Sequence, residues 1–135
     1  MKINIKVVRP DLVPEIWDMV FTHLKPAVEE DLFHDEASIK KALIEDRALM
    51  FLALVDGVIK GVVVANIEEG KHHFVSIISL GGVDMKDWQD AMLGALDKYA
   101  SGMKCRYIIS TGTKAWGRIL KDYKAGKTLY YKEVA

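Results

Sequence analysis

The chain has 135 residues, half of them hydrophobic, which is enough for one domain with a single core. Its 19 basic and 19 acidic residues give a formal charge of zero, which argues against broad electrostatic binding to nucleic acid or an anionic membrane. The single cysteine excludes an internal disulfide, and no apolar run reaches the roughly 18 residues of a membrane span. We expect one domain over residues 1–135, soluble and cytoplasmic.

The first third of the chain predicts one strand and two helices. Polar and apolar side chains alternate over residues 3–8, as is typical of a half-buried strand. We expect Asp11 to cap a helix that ends just before Pro26, because the residue before a proline avoids helical angles. Asp35 is expected to cap a second helix that runs to about Asp46.

The middle of the chain predicts a β-hairpin. Two apolar, β-branched runs at 48–55 and 58–67 flank Asp56 and Gly57, a dipeptide typical of tight hairpin turns. Because both runs are almost wholly apolar, we expect the hairpin to lie inside the sheet with both faces covered. A third strand is expected over residues 72–80.

Two adjacent glycines precede the third predicted helix. Gly81 and Gly82 predict a tight turn, and Asp84 then predicts the helix N-cap. Asp87, three residues further on, stands where the acid of a capping box would be. The helix is expected to end at Gly102.

The last part of the chain predicts a strand at 107–109, a short helix over 113–123 and a final strand over 128–134. The complete order is therefore β-α-α-β-β-β-α-β-α-β. It predicts an α/β (α+β) domain with a mixed, mostly antiparallel sheet of about six strands and about four helices.

The histidines and the cysteine give no clear site. His23 and His34 lie on or beside the early helices and have no visible partner in the sequence. His72 and His73 are neighbours on a strand and therefore point to opposite faces. No Cys/His spacing typical of zinc is present, so we expect no metal.

The order of elements resembles that of the GNAT superfamily of N-acetyltransferases over nearly the whole chain. The run Ile59-Lys60-Gly61-Val62 is similar to the end of the family's β2–β3 hairpin. Trp88, the Gly-to-Trp segment 112–116 and the segment 118–121 resemble motifs of small GNAT-like proteins encoded by bacteriophages and prophages. The resemblance implies a GNAT-like fold and, for the phage subgroup, a genomic setting.

GNAT enzymes hold the pyrophosphate of CoA with backbone amides of an Arg/Gln-x-x-Gly-x-Gly/Ala loop that opens a helix. The resemblance implies that this loop corresponds here to Leu80, Gly81, Gly82, Val83, Asp84, Met85 and Lys86. The leading Arg or Gln is absent, and the carboxylates of Asp84 and Asp87 would use the free amides and repel a phosphate. A tight turn into a well-capped helix is therefore preferred to a phosphate site.

The resemblance also implies that Tyr123 protonates the leaving thiolate of CoA. The alternative is an inward-facing helix residue beside Ile119 and Leu120. No carboxylate on the predicted strand FVSIISL is available as a base.

Three functions stay open at this point. The first is an acyl-CoA-dependent N-acetyltransferase that uses acetyl-CoA and an unknown amine acceptor. The second is a catalytically inactive GNAT-like phage or prophage protein, acting in virion assembly or as an interaction protein. The third is a small-molecule binding module. A homodimer or a phage protein partner fits the second function, with the virion as an alternative location to the cytoplasm.

Overall fold

The computed structural model describes residues 1–111, 122–126 and 130–134. These residues contain five strands, three α-helices and one short 3-10 helix at Pro10–Leu12. In chain order the elements are β1 (Ile3–Val8), α1 (Val13–Glu29), α2 (Glu36–Ile44), β2 (Leu49–Val55), β3 (Val58–Glu69), β4 (His73–Gly82), α3 (Met85–Gly102) and β5 (Tyr107–Ser110).

A helix and a strand are predicted in the part of the chain after β5. The helix expected over 113–123 lies almost wholly outside the described residues. Of the strand expected over 128–134, residues 130–134 are described and form no strand, so this part of the prediction is wrong. Within the described ranges, no helix has the length and apolar character needed to cross a membrane.

The strands form one mixed sheet in the order β1-β2-β3-β4-β5. The first three pairings are antiparallel, and only β4 and β5 are parallel. Helix α3 connects these two strands, because a parallel pair needs a crossover. The expected mixed, mostly antiparallel sheet is confirmed.

The helices cover both faces of the sheet. Helices α1 and α2 pack on one face, where β3 contributes Val62 and Val64. Helix α3 packs on the other, where β3 contributes Val63 and Ala65. All four side chains are fully buried, so the expected covering of this hairpin on both faces is confirmed. Its turn residues have positive φ angles, as a tight hairpin requires.

The predicted ends of α1 are wrong. Asp11 lies in the short 3-10 helix, pairs with Arg9 and caps nothing. The helix also continues through Pro26 to Glu29. Proline costs the helix one backbone hydrogen bond, but Val28 in the turn after it packs against the core, and this contact offsets the loss.

The predicted cap of α2 is confirmed. Asp35 Oδ1 accepts a hydrogen bond from the Ser38 backbone N–H at 2.8 Å, and the Asp35 N–H donates to Ser38 Oγ at 3.0 Å. This reciprocal pair is a capping box.

The glycines Gly81 and Gly82 belong to β4, so the predicted tight turn is wrong. A Cβ atom on Gly81 would overlap the backbone carbonyl of His23 in α1, and one on Gly82 would overlap the carbonyl of Lys60 in β3. Glycine is needed here because two other backbones approach the strand closely. Helix α1 thereby lies directly against the end of β4.

Candidate active site

The two parallel strands β4 and β5 lie at one side of the described sheet, and they part midway along β4. Their pairing ends at Ile77 and Ser110, whereas β4 continues for five more residues to Gly82. Among the described residues, the β5-facing backbone of residues 78–82 has no strand partner. At the same point β4 contains a β-bulge: Ser79 pairs with Val64 and Ile77 with Ala65 of β3, so Ile78 between them is an extra residue without a partner in β3. Bulges are common beside active sites because they bend a strand and end its pairing.

The helix α3 begins directly beyond this open edge. Asp84 precedes it in a left-handed conformation, with φ of 53°. Its side chain makes no capping hydrogen bond; Oδ2 lies 3.4 Å from Nζ of Lys60 instead. Asp84 is the residue before the helix, where the N-cap was expected, but the expected side-chain cap and the expected capping box with Asp87 are both wrong. The left-handed backbone turns the carboxylate away from the amides, and Lys60 attracts it.

The first amides of α3 remain available as a result. In the described part of the chain, the backbone N–H groups of Asp84, Met85 and Lys86 have no hydrogen-bond acceptor. Free amides together with the positive end of an 18-residue helix are a suitable site for phosphate or pyrophosphate. The Lys60 ammonium group lies beside the turn, where it is paired with Asp84, and Asp87 lies in the first turn of the helix. The backbone donors themselves fit the pyrophosphate of CoA.

Trp88 fixes the turn that carries these amides. Its indole is buried, and Nε1 donates a hydrogen bond to the carbonyl oxygen of Val83 at 2.8 Å. The ring also lies over Gly61 so closely that a Cβ atom there would overlap it. The Val83 N–H in turn donates to the Lys60 carbonyl at 2.8 Å. The turn is thus held by both β3 and α3.

Tyr123, the expected catalytic acid, is half-buried. Its Oη is buried and has no hydrogen-bond partner among the described residues. Burial raises the pKa of the phenol, and the negative charge of Asp97 raises it further. Asp97 belongs to α3, so the phenol of Tyr123 lies near this helix.

A pocket of about 350 Å³ lies between α2 and the sheet, on the face opposite α3. We call it the α2 pocket. Its polar lining consists of His34, Ser38, Lys41, Arg47 and Asn66. Ile78 of the β4 bulge forms part of its wall. A volume of this size is at the lower end of that of small-molecule sites. The pocket and the open edge of β4 therefore meet at Ile78.

His34 has a partner that the sequence analysis missed. Its Nδ1 lies 3.2 Å from Oδ2 of Asp31. The other carboxylate oxygen accepts hydrogen bonds from the backbone N–H groups of Phe33 and His34, at 2.7 and 3.1 Å. The Asp-x-x-His spacing in the loop between α1 and α2 was the signal that could have indicated this pair.

The remaining candidates lie away from these features. His72 contacts the ring of Tyr107, and His73 lies 3.9 Å from Glu69 on the surface. Cys105 is half-buried before β5. Across residues 1–111, 122–126 and 130–134, no group of three or more His, Cys, Asp or Glu side chains could hold a metal ion.

No protein-family model matches the sequence, and no curated protein is similar to it in sequence. Solved structures of acetyltransferases are similar in fold. The aminoglycoside acetyltransferase meta-AAC0020 from an uncultured soil metagenomic sample, in complex with sisomicin, has a TM-score of 0.71 at 14% identity; the alignment covers 98% of this chain and 97% of that one. Ribosomal-protein-alanine N-acetyltransferase from Brucella melitensis has a TM-score of 0.71 at 13% identity, covering 99% and 100%.

A third similar structure contains the cofactor. Aminoglycoside N-acetyltransferase AAC(6')-Iy in complex with CoA has a TM-score of 0.68 at 15% identity, covering 99% of this chain and 96% of that one. At such identities the likeness shows the fold alone. The GNAT fold expected from the order of elements is thereby confirmed, and the likeness to phage proteins stays a prediction.

Proposed function

We propose that the protein is an N-acetyltransferase of the GNAT type that uses acetyl-CoA and an amine acceptor. The observation that carries the proposal is the open edge of β4 running into free amides at the start of α3. A strand edge suits an extended amide-containing arm, and the amides suit a pyrophosphate. CoA has both groups in this order.

In this proposal the amides of Asp84, Met85 and Lys86 hold the pyrophosphate, with Lys60 and Lys86 adding positive charge. The backbone of residues 78–82 holds the pantetheine arm. Acetyl-CoA supplies the activated acetyl group. Tyr123 keeps its proton because its pKa is raised, and it donates that proton to the leaving sulfur.

The alternative of an inactive phage or prophage protein loses one of its physical supports in this account. That alternative depended on the missing Arg or Gln of the loop, on the missing carboxylate on the strand, and on the carboxylates of Asp84 and Asp87 at the anion site. The carboxylate of Asp84 lies against Lys60 instead, so a competing anion is removed from the amides. A role in virion assembly remains the alternative if acetyl-CoA does not bind.

The direct test is release of free CoA thiol from acetyl-CoA in the presence of an amine panel. The panel contains aminoglycosides and peptides with an N-terminal alanine, because the similar structures include an aminoglycoside acetyltransferase and a ribosomal-protein-alanine N-acetyltransferase. Polyamines and amino acids extend the panel to other amines. Thermal melting with acetyl-CoA accompanies the assay, and saturation at about a hundred times Kd adds about 2.7 kcal/mol of stability. The proposal would be refuted if millimolar acetyl-CoA caused no melting shift and no amine of the panel gave thiol release.

A further inference from the structure

The α2 pocket contains an unpaired acceptor atom. Asn66 Oδ1 is buried and has no hydrogen-bond partner among the described residues, although Asn66 lines the pocket. Buried carbonyl oxygens in native proteins are nearly always paired. The N–H of an amine bound in the pocket would supply the missing donor. Asn66 is therefore suited to hold the nitrogen of an acceptor.

The pocket also lies where an acceptor must lie. Ile78 forms part of its wall. This bulge residue lies next to Ile77, the last residue of β4 that pairs with β5. A nitrogen held near Ile78 is next to the edge along which the proposed function lays acetyl-CoA. Acyl transfer requires the reacting atoms to approach within about 3–3.5 Å. The pocket thus borders the proposed point of transfer at Ile78.

His34 lines the same pocket, and its contact with Asp31 indicates which ring nitrogen carries the proton. Asp31 is held by two backbone N–H groups, and its second carboxylate oxygen faces Nδ1 of His34. A carboxylate accepts hydrogen bonds only, so Nδ1 must carry the proton of the neutral ring. The lone pair is then on Nε2, which is free to take a proton. With 38% of its side chain exposed, His34 can pass that proton to solvent.

We propose that His34, oriented by Asp31, is the general base for the acceptor amine in the α2 pocket; this inference rests on the proposed function. His34 Nε2 takes a proton from the ammonium group, and the freed lone pair forms a bond to the acetyl carbon as the carbon–sulfur bond breaks. Over the reaction the ammonium group loses two protons. One ends on the sulfur, and the other leaves to solvent through His34.

The first test needs no activity. Long-range ¹H–¹⁵N NMR of the imidazole nitrogens reports the tautomer of each histidine, and His34→Gln assigns the His34 signals. We expect the neutral His34 ring to carry its proton on Nδ1. In Asp31→Asn the amide group donates to Nδ1 and moves the ring proton to Nε2. A wild-type His34 with its proton on Nε2 would overturn the inference.

The second test is kinetic. A positioned base contributes typically 10²–10⁴-fold, so His34→Gln should lower kcat at least about a hundredfold while the Kd for acetyl-CoA is unchanged. Asp31→Asn should also lower kcat, because the ring proton is then on Nε2 and that nitrogen has no lone pair for the amine proton. The matched control is His73→Gln, since His73 also lies beside a carboxylate but outside the pocket. Melting curves of all variants check that they are folded.

The outcomes separate the two proposals. If the wild-type protein does not bind acetyl-CoA, the proposed function itself is refuted. Acetyl transfer that continues at the wild-type kcat in His34→Gln would overturn His34 as the base and leave the proposed function standing. Binding of acetyl-CoA without transfer to any amine of the panel would also count against the pocket as an acceptor site.

Discussion

Asp84 and Lys60 form an ion pair across the start of α3, with Oδ2 3.4 Å from Nζ. The pair joins the turn before the helix to β3 and holds the carboxylate away from the helix amides. The first turn of α3 is thus left without a side-chain cap. A ligand phosphate can take the place of that cap, which is the basis of the proposed CoA site.

Replacing Asp84 by Asn is expected to tighten the binding of acetyl-CoA about two- to fivefold. The change removes a negative charge near the amides and frees Lys60, and an exposed pair of this kind is worth about 0.2–1 kcal/mol. Asn tolerates the left-handed backbone of this position, so the fold is retained. Calorimetric titration measures the Kd, with Asp90→Asn on the same helix as the control. Weaker binding in Asp84→Asn would contradict this account of the turn.

Replacing Gly61 by Ala is expected to lower both stability and acetyl-CoA affinity. The new methyl group overlaps the Trp88 ring, and crowding of a packed core costs about 1–3 kcal/mol. The displaced indole also loses its hydrogen bond to the Val83 carbonyl. The control is Gly94→Ala, because Gly94 lies in α3 with open space around it and should gain about 1 kcal/mol. Thermal melting distinguishes the two variants. A melting temperature of Gly61→Ala equal to that of the wild type would be evidence against the Trp88 contact.

Replacing Tyr123 by Phe is expected to lower kcat about tenfold or more without lowering the melting temperature. The hydroxyl is buried without a partner among the described residues, so its loss removes no internal hydrogen bond. Burial raises the pKa of Tyr123 above its usual 10.0, so ionisation of this phenol should not reduce the rate below about pH 10. Tyr99→Phe in α3 is the control. Equal rates for wild type and Tyr123→Phe would remove Tyr123 from the mechanism.

Replacing Asp35 by Ala is expected to lower the melting temperature at neutral pH, because the capping box of α2 is lost. The hydrogen bond from the Ser38 backbone lowers the pKa of Asp35 below 3.8. Its stabilising contribution is therefore present above pH 3.8 and is lost as the pH falls through the lower folded value. The difference between wild type and variant should shrink in acid. The control is Asp11→Ala, at an exposed position that caps no helix, which should lower the melting temperature at neutral pH less than Asp35→Ala does.

The order of strands and helices could be predicted because it depends on local patterns. The apolar arms around Asp56 and the capping residues of α2 are signals of a few neighbouring residues, and both predictions are confirmed. The role of Gly81 and that of the Asp84 side chain could not be predicted, because both depend on residues distant in sequence. The sequence alone contains no sign that α1 lies against Gly81 or that Lys60 attracts Asp84.

The pair of His34 and Asp31 was missed for a different reason. The two residues are close in sequence, but a loop conformation decides whether their side chains meet. Two backbone hydrogen bonds to Asp31 create that conformation. The end of β4–β5 pairing at Ile77 could not be predicted either, because it depends on how far two separate strands run together.

The most direct measurement is a titration of ¹⁵N-labelled protein with acetyl-CoA, followed by amide NMR. We predict saturable shifts that are largest at the amides of Asp84, Met85 and Lys86 and extend along residues 78–82. Lys86→Glu should weaken the titration, whereas Lys98→Glu at the other end of α3 should not. Absence of shifts at millimolar acetyl-CoA, or shifts confined to other parts of the protein, would contradict the proposed CoA site.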